Sequence, residues 1–157
     1  MIFESFCEAD TFELGVKIGR EAKPGQLYTL IGDLGVGKTA LTKGVAKGLE
    51  IAEPISSPTF TIVNEYEGGR LMLFHFDTYR LSVPDDFLMS GLDEYFFRGG
   101  VCVIEWSDII EELLPEDTIK MTITGDGNTR NFACESGEKH IGYIKEAAKK
   151  AGAEIEE

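Results

Sequence analysis

Gly32-Asp33-Leu34-Gly35-Val36-Gly37-Lys38-Thr39 fits the phosphate-binding loop pattern of Gly, any four residues, then Gly-Lys-Ser/Thr. Its setting decides the fold. The β-rich run Leu27-Tyr28-Thr29-Leu30-Ile31 precedes it, and Thr39 to Leu49 follows with helical spacing that carries Leu41, Val45, Ala46 and Leu49 toward a sheet. Strand, glycine-rich loop and helix together predict an α/β chain with a P-loop NTPase fold, three-layered around a mixed, mainly parallel sheet. The loop glycines let the backbone curl with its N–H groups turned inward, a nest for polyphosphate oxygens. Lys38 is expected to reach the β- and γ-phosphates and the Thr39 hydroxyl to ligate Mg²⁺, with the positive end of the helix behind them. A nucleoside triphosphate is the natural guest.

Composition bounds the rest. A chain of 157 residues suits one domain, residues 1–157, able to bury roughly 68% of its unfolded surface without disulfides or structural metals. The formal net charge of -13 removes long-range attraction to nucleic acid or anionic lipid, so a role in nucleic-acid chemistry would run through another protein. Between Asp93 and Asp117 eight acidic residues face one basic residue, Arg98, which reads either as plain solubility or as a docking face for a basic partner. Cys7, Cys102 and Cys134 are odd in number and lack metal-ligand spacing, the pattern of a reduced, intracellular chain, with Cys102 in the core. No basic segment leads into an apolar run at the N-terminus and no apolar run approaches ~18 residues, so a cytoplasmic protein with no membrane segment is expected.

Outward from the loop, Met1 to Phe6 reads as an edge strand. Asp10-Thr11-Phe12-Glu13 has the form of a helix start, continued by Leu14, Val16 to Ile18 and Ala22 and ended by Pro24-Gly25. Glu50 to Phe60 is loop, and lies where nucleotide switches keep the segment that feels the γ-phosphate. Thr61 to Tyr66 and Leu71 to Phe76 flank Glu67-Gly68-Gly69-Arg70 as a hairpin. Ser82 to Asp86 starts a helix that continues in pieces around Gly91. Val101 to Ile104 is a strand buried on both faces, Ile109 to Leu114 a short helix stopped by Pro115, and Thr118 to Thr124 a half-buried strand paired with Arg130 to Glu135. Ile141 to Ala151 reads as an amphipathic helix and residues 154–157 as a frayed tail.

Hydrolysis or transfer needs an acidic group near Mg²⁺ and a means of placing the nucleophile. Two acids end predicted strands: Asp77 after Leu71 to Phe76, and Glu105 after Val101 to Ile104. Ligands of open α/β sheets bind off the carboxyl ends of parallel strands, which favours Glu105. His75 reads as a packing residue of its strand, with a metal or base role as the lesser alternative, Trp106 as packing or a site-edge aromatic, Arg80 and Arg130 as arginines near phosphates or base or in surface ion pairs, and Thr59 as a switch residue or ordinary turn chemistry.

Taken in order, the phosphate loop, Ser57-Pro58-Thr59-Phe60, His75-Phe76-Asp77-Thr78-Tyr79-Arg80-Leu81, Gly91-Leu92-Asp93-Glu94-Tyr95 and Ile104-Glu105-Trp106 resemble the bacterial TsaE (YjeE) family. These are ATPases of the pathway that makes threonylcarbamoyladenosine at position 37 of tRNAs. The likeness runs from the Asp10-Thr11 helix start to the Arg130 region. It implies Mg²⁺-dependent ATP hydrolysis in company with the TsaD and TsaB proteins, which would hold the tRNA. By matching positions it assigns Lys38, Glu105, Asp77 and Thr59 to the chemistry and Thr39, Glu105 and Asp77 to Mg²⁺. Thr11, Asp33, Leu34, Gly35, Val36, Gly37, Lys38, Thr39, Ala40, Trp106 and Arg130 would border the nucleotide. Residues 135–157 depart from the pattern.

Two alternatives stand beside this. Asp77-Thr78-Tyr79-Arg80 faintly resembles nucleoside and nucleotide kinases, which need several basic residues to clamp a second substrate; the chain has five arginines, widely spread. A nucleotide-gated binding module without useful turnover would keep the loop and dispense with Glu105.

Overall fold

The computed structural model describes residues 2–5, 7–32, 37–126, 129–135 and 154–156. The strands among them are β1 (Ile2–Ser5), β2 (Leu27–Ile31), β3 (Val63–Tyr66), β4 (Leu73–Asp77), β5 (Val101–Glu105), β6 (Ile119–Asp126), β7 (Thr129–Glu135) and β8 (Glu154–Glu156). They form one mixed sheet in the order β3-β4-β5-β2-β6-β7-β1-β8. The central block β4-β5-β2-β6 is parallel, with antiparallel strands on both flanks. The parallel block holds the most continuous apolar runs of the chain, because crossover segments cover both of its faces.

Period-two alternation sorts the side chains into two layers. Tyr28, Leu30, Val101, Val103, Ile119 and Met121 pack against Leu14, Ile18, Leu41, Val45 and Leu49 of the helical layer formed by α1 (Glu8–Glu21) and α2 (Lys38–Gly48). Leu27, Phe74, Phe76, Cys102 and Ile104 pack on the opposite face against Phe87, Leu92, Phe96 and Ile110. Those four come from α3 (Pro84–Met89) and two 3-10 segments, Leu92–Phe97 and Ser107–Leu113. Gly91, at φ 72°, turns the chain between the first two, as its sequence position suggests.

Helices α1 and α2 touch backbone to backbone. Gly15 lies against Gly44 and Gly19 against Gly48, and a Cβ added at Gly44 would sit 2.1 Å from the carbonyl oxygen of Phe12. At the far end of α1, Arg70 from the β3–β4 turn donates through Nη2 to the carbonyls of Gly19, Arg20 and Ala22 at 2.7, 3.1 and 2.8 Å. It covers the carbonyls that a helix end leaves open.

The termini differ from expectation. Helix α1 begins at Glu8, behind Cys7, rather than at Asp10, because Glu8 and Asp10 both serve its first turn, where carboxylates meet the positive end of the dipole. β1 is not an edge strand: it lies between β7 and β8. Residues 154–156 are not frayed, since Ile155 pairs with Phe3 in an antiparallel ladder that meets the open N–H and C=O groups of β1. The helix expected over Ile141 to Ala151 lies outside the described residues.

Candidate functional site

Strand β2 delivers the chain into the glycine loop, and α2 receives it. Gly37 caps α2 at φ 103° and ψ 12°, a left-handed conformation that any Cβ would strain, which is why the pattern requires glycine there. From inside the fold the Thr11 side chain comes against Gly37, its Cγ2 standing 3.5 Å from where a Cβ would be. Thr11 is itself fully covered, so it supports the end of the loop. Asp33, Leu34, Gly35 and Val36 lie outside the described residues.

Lys38 opens α2 and is only 6% exposed. Its Nζ donates to the Gly32 carbonyl at 2.5 Å and sits 3.9 Å from the centre of the Trp106 ring. The ammonium thus meets a carbonyl and a π-face, both weaker partners than a phosphate oxygen. Thr39 is exposed beside it and Ala40 is buried.

The parallel register puts the two strand-end acids side by side. Asp77 of β4 pairs with Glu105 of β5, and Glu105 pairs on its other side with Leu30 of β2, just ahead of the loop. Alternation turns His75, Asp77 and Glu105 to the α1–α2 side of the sheet. Asp77 is fully engaged: Oδ1 accepts from the Tyr79 backbone N–H at 3.0 Å, and Oδ2 accepts from the Thr59 hydroxyl at 3.2 Å. The Thr59 hydroxyl also meets Ser57 Oγ at 2.7 Å, so the 57–59 segment hangs on Asp77. Glu105 is 6% exposed and differs, for its Oε1 is buried with no hydrogen-bond partner among the described residues, while Oε2 lies 3.6 Å from His75 Nε2.

An ionised oxygen in that position is costly unless a cation or donor meets it. The donor set of carboxylate and threonine hydroxyl is the hard oxygen chemistry Mg²⁺ prefers. Among the described residues no three His, Cys, Asp or Glu side chains converge, so phosphate oxygens and water would complete the coordination. Glu105 and Thr39 fit the ion; Asp77 fits it through the segment it anchors.

Trp106 follows Glu105 in a left-handed conformation (φ 57°) that turns the chain out of the sheet. Thr78 stabilises the turn, its hydroxyl donating to the Trp106 carbonyl and its N–H to the Glu105 carbonyl at 3.2 Å. Tyr79, two-thirds exposed, packs its ring 5.1 Å from Trp106, and the exposed Phe60 ring carries the Arg80 guanidinium at 4.3 Å. Sequence reasoning gathered Lys38, Glu105, Asp77, Thr59 and Trp106. It missed Tyr79 and Thr78, and for His75 it favoured packing over a metal or base role, although alternation along β4 already places His75 on the face of Asp77. Arg130 lies in β7 opposite Ser5 and Gly125, and its side chain lies outside the described residues.

A family model described as "Threonylcarbamoyl adenosine biosynthesis protein TsaE" matches residues 6–132. A Bacillus subtilis protein named as the tRNA threonylcarbamoyladenosine biosynthesis protein TsaE is 45% identical over 131 residues, spanning 76% of this chain and 82% of the relative. A Treponema pallidum protein of the same name is 45% identical over 121 residues, spanning 76% and 89%. The crystal structure of Bacillus subtilis YdiB superposes with a TM-score of 0.75 at 36% identity, covering 96% of this chain and 95% of that one.

Proposed function

Because this chain belongs to the TsaE family, we propose that it serves tRNA threonylcarbamoyladenosine biosynthesis as a Mg²⁺-dependent ATPase acting with the TsaD and TsaB proteins. The observation that carries the reading is Lys38, its Nζ on the Gly32 carbonyl, together with a buried Glu105 oxygen on the adjacent strand end that has no partner among the described residues. Lys38 exchanges the Gly32 carbonyl and the Trp106 ring for the β- and γ-phosphate oxygens. Thr39 and Glu105 would hold Mg²⁺, which would supply positive charge to offset that of the phosphate oxygens. Asp77 keeps Thr59 within reach of the γ-phosphate, so the segment can follow whether that phosphate is present. In the reaction a water oxygen bonds to the γ-phosphorus as the β–γ bridge breaks, giving ADP and phosphate.

Three of the five arginines are engaged elsewhere, which favours slow turnover by the isolated chain. Arg70 is spent on α1, Arg98 pairs with Glu65 at 2.8 Å, Arg80 lies on Phe60, and no Lys or Arg occurs between Gly48 and Gly69. An arginine brought by a partner is worth about 10³ to 10⁵ in rate. The same placements weigh against a phosphotransferase, which would need those arginines for a second substrate. A net charge of -13 agrees with tRNA being held by the partners. A cytoplasmic location follows from that role. No helix among the described residues is long and apolar enough to cross a membrane. Residues 1–157 acting as one domain is supported by β1 and β8 entering the sheet that carries the loop.

The test is ATP turnover by the wild type and Lys38→Ala, each with and without TsaB and TsaD. Stimulation by the pair, lost in Lys38→Ala, is expected. Turnover indifferent to the partners and to Lys38 would refute the proposal.

A further inference from the structure

His75 stands in the middle of β4, 2% exposed, on the same sheet face as Asp77 and Glu105. Among the described residues neither Nδ1 nor Nε2 has a hydrogen-bond partner, although both are buried. A histidine kept only for packing could be replaced by an apolar side chain at no cost in hydrogen bonds, and buried polar atoms are seldom left open without a purpose. Its ring neighbours are instructive. The cross-strand residue Asn64 is committed elsewhere, its amide to the Ser56 carbonyl and the Tyr66 hydroxyl and its oxygen to Thr61. The parallel neighbour Val103 offers nothing polar. Among the described residues Glu105 is the polar group recorded beside the ring, with Oε2 3.6 Å from Nε2 and Oε1 without a hydrogen-bond partner.

We propose that His75 is the positioning residue for Glu105: its Nε2–H donates to Oε2 when the ion is bound, fixing the carboxylate so that Oε1 is presented to Mg²⁺. The inference rests on Glu105 being the ion-holding carboxylate. The present 3.6 Å separation is too long for a hydrogen bond, and a rotation of the carboxylate that brings Oε2 roughly 0.7 Å closer completes it. Such a partner fixes the ligand's orientation and its electron density at the metal, and losing one typically lowers metal affinity about 10- to 100-fold. Asp77 is the less available acid, since each of its oxygens already accepts a hydrogen bond, from the Tyr79 N–H and the Thr59 hydroxyl.

The experiment reads Mn²⁺ affinity of the ADP-saturated full chain by electron paramagnetic resonance, with metal-free ADP affinity and thermal midpoint measured alongside. His75→Gln retains an amide N–H at the position of Nε2, His75→Asn places it nearer the backbone where Nδ1 sits, and His75→Leu removes it. The expected result is Mn²⁺ affinity about 10- to 100-fold weaker in His75→Leu and His75→Asn, restored to within about threefold in His75→Gln, with metal-free ADP affinity unchanged in all. Wild-type affinity in Asn and Leu, or a Gln variant as weak as Asn, overturns the proposal. Should His75→Leu fail to fold, the comparison of Asn with Gln decides alone. Glu105→Gln separates the two levels: if it weakens Mn²⁺ while no His75 variant does, the positioning role falls and the ion site stands. If it leaves Mn²⁺ unaffected, the assignment of Glu105 falls and takes that of His75 with it.

Discussion

Replacing Gly44 by alanine tests whether the α1–α2 contact sets the geometry of the loop. The added Cβ would lie 2.1 Å from the Phe12 carbonyl oxygen, 2.9 Å from Gly15 Cα and 3.0 Å from the Val16 nitrogen. A carbon–oxygen contact rests at about 3.3 Å, so the helices must part by roughly 1.2 Å. All three obstacles are backbone, and no side chain can swing aside. Parting the helices loosens Leu14, Ile18, Leu41 and Val45, each almost fully buried. Overpacking of this kind costs about 3 kcal/mol, while alanine is about 1 kcal/mol better than glycine within a helix, leaving a net loss of about 2 kcal/mol. For a chain of this size that is a fall of roughly 4–8 °C in Tm. Thermal and urea unfolding followed by circular dichroism measures it. Gly68→Ala is the comparison, since φ is 90° and nothing lies within 4 Å; it carries only left-handed strain, about 1 kcal/mol. The double variant Gly15→Ala with Gly44→Ala should lose less than the sum of the singles, because the first separation makes room for the second. A Gly44→Ala protein as stable as the wild type would refute the reasoning. Because Thr11 rides on α1 against Gly37, the same variant should also bind ATP more weakly.

Arg70→Ala should lower stability by about 1–2 kcal/mol in urea unfolding, with Arg70→Lys recovering part, because a single guanidinium nitrogen serves three carbonyls at the end of α1. Glu105→Ala should cut ATP turnover about 10²- to 10³-fold while leaving metal-free nucleotide binding intact, read by turnover and calorimetry. Burial pushes the Cys102 thiol from its ordinary 9.0 up to about 12, against a lesser downward pull from Arg98. The native state therefore holds that proton longer than the unfolded chain, so the contribution is complete below about pH 9 and is lost as pH climbs toward 12. Cys102→Ala should flatten this alkaline decline. At pH 8 a thiol reagent should modify the exposed Cys7 and reach Cys102 only on unfolding.

Local pattern carried far in this chain. The loop, its strand and its helix are contiguous, so chain order alone joins Lys38 and Thr39 into one site. The β3–β4 hairpin and the doubly buried β5 were legible for the same reason, since turn residues and apolar runs report their own surroundings. The acids Asp77 and Glu105 were found because each ends a readable strand. The boundaries were less legible. Helix α1 began a turn early because its first-turn carboxylates compete as start signals, and β1 proved interior because nothing near Met1 announces a strand more than a hundred residues away.

The amino-acid sequence by itself determined most of the strands and helices around the central sheet, that the phosphate-binding loop pattern with its lysine follows one strand end, and which acids could serve it. Only the tertiary structure decided that Asp77 is already bound to Thr59 and Tyr79 whereas Glu105 sets one oxygen beside His75 and leaves the other without a partner among the described residues, and that two glycine pairs bring α1 against α2. The reason is physical. Secondary structure answers to neighbours a few residues away, whereas the partner of a buried side chain is set by sheet order and register, which couple positions such as Asp77 and Glu105 that the chain holds far apart.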